Sequence, residues 1–306
     1  MKRAAFIAPQ LATLSKDVFS DPRWIFEEKF DGIRCIAVQS KGKLTLYSRN
    51  QKKLNASFPE IVKALEGKTK VDFVADGELV AFEKGVTSFS KLQKRAQMKM
   101  PLYLYLFDLL VWDGKDLRKK PLLDRKTLLK SKFPFTNNIR YTPHVKKTGE
   151  TYFKRAQTKR LEGIIGKKGD GHYVSKRTSE WKKFKCTKRQ ELVIGGYTDP
   201  KGSRIGFGAL LVGYYAKGKL HYAGKIGTGY DEKMLTTLEK KLSSLERKSS
   251  PFTDEIKAKE IHFVSPQLVC EVGFTEWTKD GKLRHPRFLG LRTDKSPKQV
   301  KRERAK

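Results

Sequence analysis

The chain has 306 residues, 38% of them hydrophobic, and its 66 Lys and Arg against 33 Asp and Glu give a net charge of +33. This length predicts one large or two modest folded domains, and the charge indicates a polyanionic partner. A generically basic protein is the less favoured alternative. The sequence contains no run of about 18 apolar residues, the length that a membrane-spanning helix needs. The three cysteines form no zinc or disulfide pattern, which fits a reducing, cytoplasmic compartment.

Apolar periodicity predicts strands and a few helices in the first part of the chain. Strands are expected in residues 24–48, with a turn at Lys41-Gly42, and in 102–111. Two apolar runs, 73–75 and 79–82, flank Asp76-Gly77-Glu78 and predict a strand pair with acids in its middle. Helices are predicted at 58–65, opened by Pro59, at 122–129 and at 152–160.

The composition changes after Lys185, where Gly, Tyr and short apolar runs become frequent. Residues 190–230 predict a small antiparallel barrel of the OB type. A helix at 232–245 and further strand around 267–277 follow. We place the domain boundary near residues 187–190 and expect the basic tail, KSPKQVKRERAK, to be mobile.

The strongest candidate for chemistry is the stretch Glu27-Glu28-Lys29-Phe30-Asp31-Gly32-Ile33-Arg34. In a strand, Lys29 and Asp31 would face the same side. A lysine is a nucleophile only when its amine is neutral, so nearby cations, desolvation or a divalent metal must lower its pKa. The alternative is a surface strand of mixed charge with a turn at Asp31-Gly32.

Two further motifs place charged or aromatic residues inside apolar runs. The acids of Asp76-Gly77-Glu78 predict ligation of a metal or of a ribose hydroxyl, or equally an acidic hairpin turn. Phe107 could stack on a nucleobase, although a core phenylalanine is commoner. Each motif alone therefore leaves both interpretations open.

Two basic motifs follow. Glu162 and Lys167 bracket a small apolar stretch, which could also be a loop that leads into a strand. In residues 181–185, alternation puts Trp181, Lys183 and Lys185 on one face and Phe184 on the other. Adjacent lysines on one face repel, so a phosphate between them is a reasonable inference. The alternative is a basic edge strand that blocks aggregation.

In this order, the motifs resemble the covalent nucleotidyltransferase superfamily, which contains DNA ligases, RNA ligases and mRNA capping enzymes. The matching elements are Lys29 to Arg34, Ser48-Arg49-Asn50, Phe58-Pro59-Glu60, Asp76-Gly77-Glu78, Phe107-Asp108, Glu162-Gly163, Lys183/Lys185 and Arg292-Thr293-Asp294-Lys295. The stretches RQELVIGGYTDPKGSRIGFGALLVGYY, YAGKIGTGY and FTEWTKDGKLRHPRFLGLRTDK narrow the resemblance. They look like the ATP-dependent ligase domain of bacterial nonhomologous end-joining DNA ligases.

The resemblance implies an α+β fold in two domains. Residues 1–188 would form a nucleotidyltransferase domain, ATP-grasp-like and built on antiparallel sheets, and residues 189–306 an OB-fold β-barrel with a basic tail. Such ligase domains are often fused to polymerase and nuclease domains. This chain starts just before the lysine motif and ends just after the last motif, so we expect neither of those fusions nor a large N-terminal DNA-binding domain.

The resemblance also implies the chemistry: ATP is the cofactor, AMP becomes covalently bound to Lys29, and a divalent metal, Mg²⁺ or Mn²⁺, assists. Lys167 would belong to the nucleotide site. In the nucleotide site, Glu27 would read the adenine edge, Phe107 would stack on the base, Arg34 and Glu78 would contact the ribose, and Lys183 and Lys185 would bind the AMP phosphate. Glu162 would bind the metal with Glu78 and Asp31, and Arg292, Asp294 and Lys295 would act on the departing pyrophosphate. On the DNA, Arg49 would contact a phosphate near the nick, and Asp31 would orient the 3′-end.

The implied partner is nicked or broken double-stranded DNA, and a Ku-type end-binding protein and a separate repair polymerase are candidate assistants. We expect a monomer associated with the bacterial nucleoid. Two alternatives differ in class. One is an RNA ligase or a GTP-using capping enzyme, which labelling with ATP against GTP would separate. The other is a non-catalytic basic OB-type nucleic-acid binder, which failure to form a covalent lysyl-nucleotide would favour.

Overall fold

A computed structural model describes residues 4–303 of the chain except 97, 187, 201, 257–259 and 279. The chain divides into two compact units, the first ending at Cys186 and the second at Glu303. The helices are α1 (Pro59–Leu65), α2 (Phe89–Gln93), α3 (Leu122–Lys132), α4 (Gly149–Thr158) and α5 (Glu232–Ser243), with 3₁₀ turns at Asn55–Ser57, Lys94–Ala96 and Pro297–Gln299. Within the described part of the chain, no helix is both long and apolar enough to cross a membrane.

The first unit is built on two sheets. Its strands are β1 (Leu11–Leu14), β2 (Trp24–Glu28), β3 (Ile33–Ser40), β4 (Lys43–Ser48), β5 (Phe73–Glu83), β6 (Val86–Thr87), β7 (Leu102–Trp112), β8 (Lys115–Asp116), β9 (Ile139–Tyr141), β10 (His144–Lys146), β11 (Gly163–Lys168) and β12 (Arg177–Lys185). One sheet has the order β1-β12-β11-β2-β10, and the other has the order β4-β3-β5-β7-β8, with β6 beside β5 and β9 beside β7. Most neighbours are antiparallel; β1 with β12 and β7 with β9 are parallel.

The two sheets of the first unit pack face to face with helices outside them. Phe107 and Val74 of one sheet share a buried cluster with Trp181 of the other. On the far side of the β7 sheet, α1, α2 and α3 cover a larger apolar core. On the far side of the β2 sheet, α4 covers Phe26 and Phe184. The alternation predicted for residues 181–185 is therefore confirmed, because Trp181 and Phe184 lie on opposite faces.

The predicted strands and helices of the first unit are confirmed, with one correction. Residues 73–83 form a single strand and not a strand pair with an acidic turn. Asp76 inside that strand is fully buried but ion-paired, so the acids do not force the chain to turn out to solvent. The turn at Lys41-Gly42 has φ values of 51° and 75°, as a tight hairpin between β3 and β4 requires.

The second unit is a curled sheet of the OB type packed against helix α5, and the predicted α+β class is confirmed. Its strands are β13 (Arg189–Thr198), β14 (Leu210–Ala216), β15 (Lys219–Ile226), β16 (Glu246–Arg247), β17 (Ile261–Val264), β18 (Val269–Gly273), β19 (Glu276–Trp277), β20 (Leu283–Arg284) and β21 (Arg287–Leu291). The main order is β15-β14-β13-β17-β16, and β18 joins β13 to β21. Asp231 caps α5, which buries Leu235, Leu238 and Leu242 against the sheet.

The tail expected to be mobile packs against the second unit as far as Glu303. Val300 is 3% exposed, and its carbonyl accepts a hydrogen bond of 2.7 Å from the Tyr215 amide of β14. The Gln190 side chain also binds the backbone of Lys301 and Glu303. The prediction of a mobile tail overlooked the burial of Val300, which is the largest apolar side chain of a tail whose other apolar residues are Pro297 and Ala305. Residues 304–306 lie outside the described residues.

Candidate active site

Lys29 follows directly after β2, at the edge where that strand leaves the sheet. Its amide donates a hydrogen bond of 3.0 Å to the Gly163 carbonyl, which ties it to the start of β11. Its ammonium group forms an ion pair with Glu162, and the two side chains are 18% and 7% exposed. The amine is therefore partly desolvated, held by one carboxylate, and still reachable from solvent.

Asp31 does not share a strand face with Lys29, which corrects that prediction. Strand β2 ends at Glu28, and the chain bends at Asp31-Gly32. The Asp31 amide donates to the Thr87 hydroxyl at 3.0 Å, and its carboxylate accepts from the Phe89 amide at 3.0 Å. Gly32 is required by close approach, because a Cβ there would lie 2.1 Å from the Leu79 carbonyl oxygen. Asp31 therefore anchors the connection between β2 and β3 to the start of α2.

Glu27 lies one residue before the end of β2 and is 1% exposed. One carboxylate oxygen is 2.5 Å from the ammonium of Lys126 in α3, and the other is 2.6 Å from that of Lys167 in β11. Burial alone would raise the pKa of Glu27, but the two ammonium groups outweigh it and hold that pKa below its usual value. Burial lowers the pKa of Lys167 to about 8, although Glu27 opposes the shift.

Arg34 and Phe107 face each other between the two sheets. The Arg34 guanidinium lies 4.7 Å from the Phe107 ring centroid and donates to both oxygens of Asp76, at 2.5 and 2.6 Å. The Tyr173 hydroxyl donates to the same carboxylate at 2.6 Å. Burial would lower the pKa of Arg34, but Asp76 raises it above its usual value, so this guanidinium stays charged. Glu78 is half-buried and pairs in register with Arg34 on the neighbouring strand.

Lys183 and Lys185 lie on β12, which pairs with β11. Strand β11 begins at Gly163, the residue after Glu162. Lys183 is in register with Ile165, and Lys185 with Gly163, whose carbonyl holds the Lys29 backbone. Both lysines are half-buried and project from the same side of their strand. The sheet register therefore gathers Lys29, Lys183 and Lys185 at one end of β2, β11 and β12.

Arg49 lies in the turn after β4, where it is half-buried. The remaining predicted residues belong to the second unit. Arg292 donates to both oxygens of Asp294, at 3.0 and 2.9 Å, and to Glu271 of β18 at 3.2 Å. Lys295 forms an ion pair of 2.8 Å with Glu191 of β13. These residues follow β21 and form ion pairs with acids on two strands of that unit.

The three predicted metal ligands are not gathered into one site. Glu162 pairs with Lys29, Asp31 binds the start of α2, and Glu78 lies on β5. Among the described residues, no three His, Cys, Asp or Glu side chains are grouped to hold an ion. A magnesium ion in a nucleotide site commonly takes one or two carboxylates and completes its shell with phosphate oxygens and water. Glu162 beside Lys29 fits that donor set, and the metal assignments stay a prediction.

Sequence reasoning missed three buried polar residues around this site: Lys126, Asp76 as the partner of Arg34, and Thr142. A signal existed for Lys126, because Leu122, Lys126 and Leu129 have helical spacing and so share the buried face of α3. A lysine on an apolar stripe needs a buried carboxylate. The partners of Asp76 are 42 and 97 residues away in sequence, and no local pattern connects them.

Comparison with known proteins gave consistent matches over both units. The family described as "ATP dependent DNA ligase domain" matches residues 7–185, and "ATP dependent DNA ligase C terminal region" matches residues 203–295. The multifunctional non-homologous end joining protein LigD of Mycolicibacterium smegmatis is 35% identical, over 96% of this chain and 39% of that protein. The chain thus spans about two fifths of the LigD proteins it matches.

A relative of similar length and a solved structure complete the comparison. The SPbeta prophage-derived DNA ligase-like protein LigB of Bacillus subtilis is 31% identical, over 94% of this chain and 99% of that protein. The structure of mycobacterial DNA ligase D complexed with ATP and MES is 34% identical, with a TM-score of 0.70, over 97% of this chain and 98% of that one. The predicted ligase-type nucleotidyltransferase fold with an OB-fold is confirmed.

Proposed function

Because the chain belongs to the ATP-dependent DNA ligase family, we propose that it seals 5′-phosphate/3′-hydroxyl nicks or breaks in DNA with Lys29 as the nucleophile that carries AMP. The observation that carries the proposal is the placement of Lys29. Its amine is partly buried, paired with Glu162, and adjacent to the strand ends that bear Lys183 and Lys185.

The proposed reaction has three steps. The neutral Lys29 amine attacks the α-phosphorus of ATP, which forms an N–P bond, breaks the bond to the β-phosphate oxygen, and releases pyrophosphate. The DNA 5′-phosphate then attacks the AMP phosphorus and displaces Lys29. The 3′-hydroxyl finally attacks the activated 5′-phosphorus, loses its proton, and expels AMP. Each step is phosphoryl-type transfer, for which the protein chiefly positions groups and neutralises charge.

The other site residues receive their roles from the family resemblance and their positions. Glu162 is the nearest acceptor for the proton that Lys29 must lose. A divalent metal beside Glu162, Mg²⁺ or Mn²⁺, would supply further charge neutralisation at the phosphates. Glu27, Lys167 and Phe107 are assigned to binding of the base, Arg34 and Glu78 to the ribose, and Lys183 and Lys185 to the AMP phosphate. Arg49 and Asp31 are assigned to the nicked strand, and Arg292, Asp294 and Lys295 to the pyrophosphate.

We extend the proposal to the biological process. The matched LigD proteins are named for non-homologous end joining, so we propose that this chain acts in break repair on nucleoid DNA as a monomer. A Ku-type protein that gathers ends and a separate repair polymerase would supply steps for which this chain has no assigned site. The net charge of +33 suits a DNA substrate.

The test is incubation with α-labelled ATP and nicked DNA, followed by denaturing gels for protein and DNA. Wild-type protein should gain label on the chain and convert nicked to sealed strands. Lys29→Ala should do neither, and Lys29→Arg should not restore labelling because a guanidinium stays protonated. Lys43→Ala, which changes an exposed lysine of β4, is the matched control and should behave as wild type. A labelled Lys29→Ala band would remove Lys29 from its role.

A further inference from the structure

One buried lysine outside the predicted motifs connects two of the residues assigned to the base. Lys126 of α3 is 1% exposed, and its ammonium has three acceptors around it. They are a Glu27 carboxylate oxygen at 2.5 Å, the Thr142 carbonyl at 3.1 Å and the Phe107 carbonyl at 3.4 Å. An ammonium has three N–H donors, so this group is fully used in holding β2, β7 and the chain after β9 together.

Polar groups beside this lysine are left incomplete within the described part of the chain. The Thr142 hydroxyl is buried and has no hydrogen-bond partner there. Among the described residues, the Lys167 ammonium has the Glu27 carboxylate and the rings of Phe107 and Trp181 beside it, and it lacks the carbonyl acceptors that Lys126 has. The cluster also holds two buried ammonium groups against one carboxylate. Unsatisfied buried polar groups are costly, and a ligand with hydrogen-bonding atoms would satisfy them.

We infer that Lys126 is a positioning residue of the nucleotide site, which fixes the Glu27 carboxylate relative to Phe107 and thereby sets the preference for adenine over guanine. The inference rests on the proposed function, in which Glu27 reads the base and Phe107 stacks on it. Lys126 binds the carboxylate of Glu27 and the backbone carbonyl of Phe107. It therefore sets the position of the group that reads the edge of the base relative to the ring on which the base stacks.

The preference follows from the chemistry of the two purines. Adenine carries an amino donor at position 6, where guanine carries a carbonyl acceptor. A carboxylate fixed opposite that position attracts adenine and repels guanine. Without Lys126, Glu27 would keep only Lys167 as a partner and could shift or turn to meet a different donor pattern. Stacking on an aromatic ring tolerates any base, so discrimination depends on Glu27.

The test compares self-adenylation with self-guanylation, each measured as kcat/KM for covalent labelling of the chain. Lys126→Gln should lower the ATP-over-GTP ratio by roughly 10- to 100-fold, the scale of a misplaced recognition group. The loss should fall mainly on the KM for ATP, because other residues hold the reacting phosphate. Lys130→Met changes an exposed lysine one turn along α3 from Lys126, 6.0 Å from the Tyr141 ring centroid, and should keep the wild-type ratio.

A double-mutant cycle with Glu27→Gln makes the inference independent of simple destabilisation. If Lys126 acts on the ratio through Glu27, the double variant Glu27→Gln/Lys126→Gln should match Glu27→Gln within roughly twofold. The double variant also removes both members of the Lys126–Glu27 ion pair, and it stays informative if Lys126→Gln alone does not fold, which thermal melting reveals. An unchanged ratio in Lys126→Gln, or additive losses in the double variant, would overturn the inference. Absence of labelled wild-type protein would overturn the proposed function instead.

Discussion

Two lysines share the Glu27 carboxylate, yet they differ in their other contacts. Lys126 has three oxygen acceptors, whereas Lys167 has one and lies 4.1 Å from the Phe107 ring centroid. Burial accordingly lowers the pKa of Lys167 to about 8, from an ordinary value of 10.5. Lys167 is therefore a group whose charge changes near physiological pH.

Binding of ATP should weaken as pH rises through about 8, because Lys167 then loses the proton it would donate to the nucleotide. The apparent affinity should fall by up to about tenfold per pH unit above 8. Calorimetric titration of Lys29→Ala with ATP between pH 7 and 9.5 avoids the covalent step. In the same background, Lys167→Met should bind ATP with little pH dependence over that range. Equal slopes in both proteins would show that another group titrates.

The lowered pKa of Lys167 has the opposite effect on the pH dependence of folding stability. Between pH 8 and 10.5 the unfolded chain holds the Lys167 proton more tightly than the folded one. The contribution of Lys167 to the free energy of unfolding therefore rises with pH in that window. Opposite trends in ATP affinity and stability would both be traced to this one side chain.

At the scale of elements, the connection from β2 to β3 and the start of α2 depend on each other. The Asp31 carboxylate accepts from the first amide of α2, and Ser88 caps the same helix through the Lys91 amide at 3.1 Å. A carboxylate at a helix start satisfies an otherwise unpaired donor. The same carboxylate is the one assigned to the 3′-end of the nick, so its structural and chemical roles need separate variants.

Asp31→Asn and Asp31→Ala should divide those roles. Asn keeps an oxygen acceptor for the Phe89 amide, so its free energy of unfolding should stay near that of wild type, whereas Ala should lose about 1 kcal/mol. Both should seal a pre-adenylated nick more slowly, because both lack the charge. Denaturant unfolding and single-turnover sealing measure the two effects. Normal sealing by a stable Asp31→Asn would leave this residue only its structural role.

The sequence predicted the elements of this fold better than the contacts within its site. Apolar periodicity located the strand that ends just before Lys29 and the strands that carry Phe107 and Lys183, because burial on one or both faces leaves a local pattern. It failed at residues 73–83, where it predicts a pair of strands on either side of Asp76-Gly77-Glu78 and the structure has a single strand. Asp76 can remain inside a strand because Arg34 and Tyr173 pair with it across the fold. Such partners depend on tertiary packing, which no local window contains.

At the scale of the whole molecule, the net charge of +33 gives the sharpest expectation. Each Lys or Arg that contacts a DNA phosphate releases a condensed counterion, so affinity falls steeply with salt. If the chain makes about 6 to 10 such contacts, its affinity for nicked duplex should fall by about 10³ to 10⁵ between 50 and 200 mM salt. Fluorescence anisotropy of Lys29→Ala with labelled nicked DNA measures this without turnover. ATP binding by the same protein, which involves few charges, should change far less and serves as the control. A DNA affinity that changes by less than about tenfold over this range would mean that the excess charge is not used on the phosphate backbone, and the basic composition would then need another explanation.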